Sequence, residues 1–235
     1  GLRALANLPV MEKLDLSGSK ITDSGAKHLG RAKALRDLTL SGTATGDETL
    51  AGLGALPALE ELHLEGTRST DAGLGALGAV RTLRVLNLEG TPVNGSGLAK
   101  FPQPAGLRKL NLTGTKFDAR GGKHLGKLTS LSNLSLSGCP IDDAGLTALG
   151  GLKALKNLDL SGTKAGDAAA KLAGTLPELE VARFDGALVT DAGLKEAAQA
   201  PGLKFLFARN TKATKVGALE AKRFARSEVL KVEVE

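Results

Sequence analysis

The sequence predicts an α/β solenoid: a right-handed arc with a parallel β-sheet on its concave face and helices on its convex face. Two observations predict it. A nine-residue phrase returns every 24 residues, and within each copy the apolar spacing changes from two to a helical interval. A fixed period of this size marks a repeat architecture, in which no unit buries its apolar face without neighbours.

The phrase Leu35-Arg36-Asp37-Leu38-Thr39-Leu40-Ser41-Gly42-Thr43 recurs from Leu59, Leu83, Leu107, Leu131 and Leu155, with weaker copies from Met11, Leu179 and Leu203. Residues 1–235 are therefore expected to form a single domain. Residues 1–10 are a partial repeat: Gly1 falls at the fifteenth position, and Leu2, Leu5 and Leu8 continue as the tail of an earlier copy. An apolar edge that is exposed, or covered by something outside these residues, is expected there.

Each element follows from its spacing. Leu38 and Leu40 alternate with polar residues, which predicts a short strand with one buried face. Nine such strands run from Leu14 through Leu206. A tenth is expected within 227–235, with Leu230 and Val232 at the repeat's fourth and sixth positions. After the Gly-Thr corner the leucines recur at helical intervals, as at Leu74 and Leu77. Asp23, Asp47, Asp71, Asp143, Asp167 and Asp191 share the position before each helix and are expected to accept from the free N–H groups of its first turn. A glycine two residues later (Gly73, Gly193 and their counterparts) leaves room for close packing. In the fourth repeat Pro92, Pro102, Pro104 and Gly95 predict a short or distorted helix. Stacked strands sit about 4.8 Å apart and helices need roughly 8–10 Å, so the coil bends towards its strands.

Composition narrows the function. No run approaches the roughly 18 apolar residues of a membrane span. The single cysteine excludes an intramolecular disulfide framework and fits a reducing compartment. Cys139 fills the slot of Thr43, Thr67, Thr91, Thr115 and Thr163, which reads as a buried thiol replacing a small hydroxyl. The net charge of +6 is concentrated near the end, where Lys204, Arg209, Lys212, Lys215, Lys222, Arg223 and Arg226 face the single acid Glu220 across 203–226.

The order L-x-x-L-x-L-x-G-T followed by an acid-capped L-x-x-L helix resembles the leucine-rich-repeat superfamily over nearly the whole chain. The helical outer half is most similar to its ribonuclease-inhibitor-like and cysteine-containing subtypes. F-box-associated repeat proteins and bacterial effectors share this resemblance, and the T-D-A-G-L phrase with abundant Ala and Gly looks bacterial. The resemblance implies protein binding and no cofactor.

The third, fifth and seventh positions of each repeat point out of the concave face and vary freely, whereas the buried positions barely change. Constant frame with individual surface is the pattern of a binding scaffold. Two neighbourhoods stand out as partner-binding candidates. Glu61, His63, Glu65 and Glu89 form an acidic group, with Asp37 one strand back. Phe205, Phe207, Arg183 and Arg209 combine residue types that dominate interface energetics. A metal on Glu61-x-His63-x-Glu65 is disfavoured, because successive positions on one strand face stand about 6.6–7 Å apart. No nucleophile–base arrangement and no phosphate-binding loop occurs, so no catalytic residue is assigned.

The expected function is a non-catalytic, monomeric module binding a partner protein or peptide on its concave sheet. The alternatives are an electrostatic binder of anionic polymer or membrane through Lys222, Arg223 and Arg226, and a structural spacer of a larger receptor or effector. Scarce aromatics and a partly acidic concave face argue against nucleic acid.

Overall fold

The structure, a computed structural model, describes residues 10–102, 105–227 and 229–234. The partial repeat with Leu2, Leu5 and Leu8, and Pro104, lie outside the described residues. Strands β1 (Lys13–Asp15), β2 (Asp37–Thr39), β3 (Glu61–His63), β4 (Val85–Asn87), β5 (Lys109–Asn111), β6 (Asn133–Ser135), β7 (Asn157–Asp159), β8 (Val181–Arg183), β9 (Phe205–Phe207) and β10 (Lys231–Glu233) form one sheet in chain order. Neighbours pair parallel, with Leu38 beside Leu62 and Leu62 beside Leu86. Each three-residue strand from β2 to β10 buries its middle residue and turns the flanking two out, as alternation demands, while Leu14 of β1 is only half-buried.

The buried ladder Leu38, Leu62, Leu86, Leu110, Leu134, Leu158, Ala182 and Leu206 is no more than 2 % exposed at any rung. After each of β1–β8 a glycine turns the chain with φ between +65° and +70°, a region that a Cβ disfavours. In the ninth repeat Asn210 takes the same corner at φ 55°, which asparagine tolerates better than other side-chain-bearing residues. Beside the corner, the hydroxyls of Thr43, Thr67, Thr91, Thr115 and Thr163 donate to the carbonyl three residues back. Cys139 is buried in the same slot and donates to Leu112 O at 3.0 Å. Burial pushes its thiol pKa up, only partly offset by the hydrogen bond with Thr115.

The convex layer is more varied than a helix per repeat. Seven-residue or longer α-helices occur at α2 (Asp47–Leu53), α3 (Asp71–Leu77), α5 (Asp167–Gly174), α6 (Asp191–Ala197) and α7 (Lys215–Phe224). Repeats one and five have only single α-turns, α1 (Asp23–Ala26) and α4 (Ala119–Gly122), each continued by 3₁₀ turns. Repeats four and six carry only 3₁₀ segments, Ser96–Lys100 and Thr147–Gly151. Glycine-rich stretches such as Gly121-Gly122 and Gly150-Gly151 account for the shortening, because glycine is a poor helix former. Close approach of the convex layer occurs where glycine permits it: a Cβ on Gly122 would stand 1.9 Å from Gly145 O, and one on Gly174 2.1 Å from Glu196 O.

The repeated aspartates correct the capping expectation. Each but Asp143, which lies in a turn, is the first residue of its own helix, and every one reaches its carboxylate forward to the next repeat. Asp47 Oδ1 accepts from Thr70 N at 2.8 Å and Gly73 N at 3.1 Å, while Oδ2 accepts from Thr70 Oγ1 at 2.6 Å. Asp71 accepts from Asn94 and Gly97, and Asp143 from Gly166 and Ala169. Asp23, Asp167 and Asp191 do the same for the repeats that follow them. The N-cap is the preceding residue, and Thr70 and Thr190 accept from N–H groups two residues on. The glycine in this phrase makes the reach possible, since a Cβ on Gly73 would lie 2.5 Å from Asp47 Oδ1 and one on Gly193 2.3 Å from Asp167 Oδ1.

Where Gly95 and Ala119 replace the aspartate, the staple is absent. Beside Gly95 the buried Phe117 ring fills that place, and a Cβ on Gly95 or Gly121 would meet it at 2.3–2.4 Å; in the next repeat Ile141 does so, 2.8 Å from a Cβ on Gly145. The final strand also departs from expectation. Val232, not Leu230, pairs with Leu206 and takes the fourth position, a spacing of 26 residues. The extra length lies in α7, ten residues against seven in α6.

Candidate functional site

Alternation along β2–β10 places the third- and fifth-position side chains on the concave face, so the sheet itself builds the site. At the N-terminal side, Glu65 accepts from Ser41 Oγ and Asn87 Nδ2 and lies 3.5 Å from His63 Nδ1. Glu89 accepts from Asn111 Nδ2 at 3.0 Å. His63 and Glu65 are thus in contact, with Glu61 on the same strand as His63 and Glu89 on the following repeat. The compact donor set is a different one, however: ligand atoms of Asp37, Glu61 and His63 lie within 4.8 Å of one another. Strands are closer sideways than alternate residues are along one strand, so a group spanning β2 and β3 is tighter than Glu61-His63-Glu65. These three are exposed or half-buried side chains that could hold an ion.

At the other side the four residues Phe205, Phe207, Arg183 and Arg209 converge. The Phe205 and Phe207 rings stack with centroids 6.3 Å apart. Arg183 Cζ lies 4.2 Å from the Phe207 centroid and Arg209 Cζ 5.4 Å from it. Each cation over a ring face gains from the ring quadrupole and holds the ring in place. Arg209 is also tied to Asp185 at 3.5 Å and to Glu233 at 3.9 Å, and its backbone N–H donates to Asp185 Oδ1. Its Nε is enclosed without an acceptor among the described residues. Arg183, by contrast, has no carboxylate partner among the described residues.

Sequence reasoning missed two parts of this surface. Lys231 Nζ sits 5.7 Å from the Phe205 centroid and Glu233 approaches Arg209, both from β10. The two-residue offset of that strand hid them. The second is a trough of about 370 Å³ that joins the two candidate groups, with His63 at one end and Arg183 at the other. Its walls include Val85, Lys109, Asn133, Asn157 and Val181. A signal existed in the sequence: asparagine recurs at the third or fifth position of four successive repeats, as Asn87, Asn111, Asn133 and Asn157.

The alternative basic patch is less unified than a single helix would make it. Lys222 and Arg223 are exposed on α7, whereas Arg226 lies beyond its end and donates its backbone N–H to Ala198 O. The same helix exposes Val216 at 65 % and Leu219 at 68 %. No helix among the described residues is long and apolar enough to cross a membrane.

The Leucine Rich repeat family profile matches residues 7–30 and 127–150. No curated protein sequence matches significantly. Among solved structures, internalin C2 from Listeria monocytogenes is similar with a TM-score of 0.68 at 20 % identity, over 98 % of this chain and 92 % of that one. With the in-register parallel sheet and its L-x-x-L-x-L-x-G-T phrase, these likenesses show a leucine-rich-repeat fold, and the family profile itself matches two of the repeats.

Proposed function

We propose that the protein is a non-catalytic binding module that takes an extended segment of a partner protein along its concave face. The observation that carries this reading is the trough running from His63 to Arg183, lined by outward side chains of the third and fifth positions over the leucines of the buried ladder. Phe205, Phe207, Arg183 and Arg209 form its energetic end. Phe205 is 37 % exposed, and its stacked, cation-covered ring is a preorganised apolar surface that loses little freedom on binding. Glu61, His63, Glu65 and Glu89 act at the other end, chiefly on association rate, through steering that salt suppresses. The internalin likeness supports the scaffold and leaves the ligand to be found by experiment.

A photo-crosslinking side chain at position 133, on the concave face, or at 195, on the convex face, tests the surface in lysate of the source cells. Capture is expected from 133 and not from 195. Phe205→Ser with Phe207→Ser should weaken the captured partner's affinity by at least about 2 kcal/mol with far-UV circular dichroism unchanged. Capture only from 195, or indifference to the double change, overturns the reading. A second reading then takes over: exposed Val216, Leu219 and Phe224 beside Lys222, Arg223 and Arg226 would meet an anionic surface.

A further inference from the structure

Resting on the concave-face reading, we propose that the trough selects an extended peptide by the order and spacing of its charges: a Lys or Arg at the β3–β4 side and an Asp or Glu six or seven residues away at β8. The two ends of the trough differ in charge. Glu61, Glu65 and Glu89 stand beside its His63 end; Arg183 lines the other end, across from Asp159 on β7, and Lys109 lines the wall between. Arg209 is spent on Asp185 and Glu233, whereas Glu65, Glu89 and Arg183 pair with no Lys, Arg or opposing carboxylate among the described residues. Glu65 and Glu89 accept only from the neutral Ser41, Asn87 and Asn111 and face no Lys or Arg among the described residues, His63 being the nearest basic group to Glu65. Arg183 holds its guanidinium over the Phe207 ring and forms no ion pair with a carboxylate of the described residues, Asp159 included. A planar guanidinium held this way is suited to a bidentate grip on a carboxylate.

The middle of the trough carries the opposite character. Asn133 and Asn157 lie between the two ends, and Asn157 makes no side-chain hydrogen bond among the described residues. Asn133 uses only its Oδ1, accepting from Ser132 Oγ, so its amide N–H groups remain available. Carboxamides offer both donors and acceptors and match the backbone of a peptide crossing the strands. Val85 and Val181 add apolar wall. Glu65 on the β3 repeat and Arg183 on β8 are five strand spacings apart, and Glu89 and Arg183 four. At about 4.8 Å per spacing and about 3.3 Å per extended residue, the charges fall about six or seven residues apart on the ligand.

The experiment selects phage-displayed random twelve-residue peptides on the immobilised full chain. Enriched sequences should carry Lys or Arg and Asp or Glu at that separation, in one constant order. Arg183→Gln should lower the affinity of a synthetic selected peptide about tenfold and erase the acidic preference in a repeated selection. Glu65→Gln with Glu89→Gln should erase the basic one. Asn133→Arg, which blocks the trough midway, separates the two levels of the argument. Binding abolished by Asn133→Arg but indifferent to Arg183→Gln and to the glutamate pair overturns the charge order and leaves the concave reading standing. Binding untouched by Asn133→Arg overturns both, as does a selection that enriches no sequence. Circular dichroism of each variant confirms that the fold persists.

Discussion

Leu110 illustrates what one side chain contributes to a stack of this kind. It is 2 % exposed and pairs with Leu86 on one side and Leu134 on the other. Truncation leaves a void that three strands share, and their own hydrogen-bonded register prevents them from closing it. Leu110→Ala is therefore expected to lower stability by about 2–5 kcal/mol, read from the urea midpoint at unchanged slope. Phe205 and Phe207 stand on the other side of the same sheet, where the same alternation puts side chains in water. Residue identity alone separates these two classes poorly, since leucine and phenylalanine are both apolar. Position in the period separates them, and that was readable: Phe205 and Phe207 occupy outward places.

At the scale of the element, the unit of cohesion is an aspartate in one repeat and a glycine in the next. The carboxylate satisfies N–H groups at the start of the neighbouring helix, which have no partner within that helix. Asp47→Ala removes three hydrogen bonds to Thr70 and Gly73 together, and is expected to cost about 1–3 kcal/mol. Glu48→Ala, one residue on and exposed, is the control and should leave the urea midpoint unchanged. Equal effects would show that the aspartate acts only through its helix dipole. The regular spacing of Asp and Gly was visible in the sequence. Its direction was not, because a capping carboxylate at this place meets two sets of free N–H groups, and only stacking decides between them.

For the whole molecule, carboxylates set the acid limit. Asp15 lies below its ordinary pKa through hydrogen bonds from Ser17, Asp118 through Arg120, and Glu180 through Lys204. For Asp23 burial acts upward, but hydrogen bonds from Thr49 and Gly46 and the charge of Arg68 outweigh it. A depressed folded pKa means that the unfolded chain takes up protons first as pH falls. The stability from these groups is present above the unfolded carboxylate values near 4 and is lost as pH drops through the lower folded ones. The melting temperature should therefore fall between about pH 4 and pH 2, and Asp23→Asn should flatten that fall. A melting temperature constant over this window would contradict the assignment.

The sequence by itself determined the solenoid, its strand positions and the concave columns, because a 24-residue period fixes which side chains are buried wherever it holds. Local chemistry was also legible where it acts within one repeat, as with the Gly corners and the Thr43-type hydroxyls. Only the tertiary structure decided what passes between repeats. It turned the aspartates forward, set Phe117 in place of a staple, and shifted β10 so that Lys231 and Glu233 joined the phenylalanine group. It also opened the trough that lies between two patches at least 94 residues apart in sequence, Glu89 to Arg183. Periodicity reports the face on which a residue lies, whereas lateral contacts depend on strand spacing, helix length and the reach of each side chain across the stack.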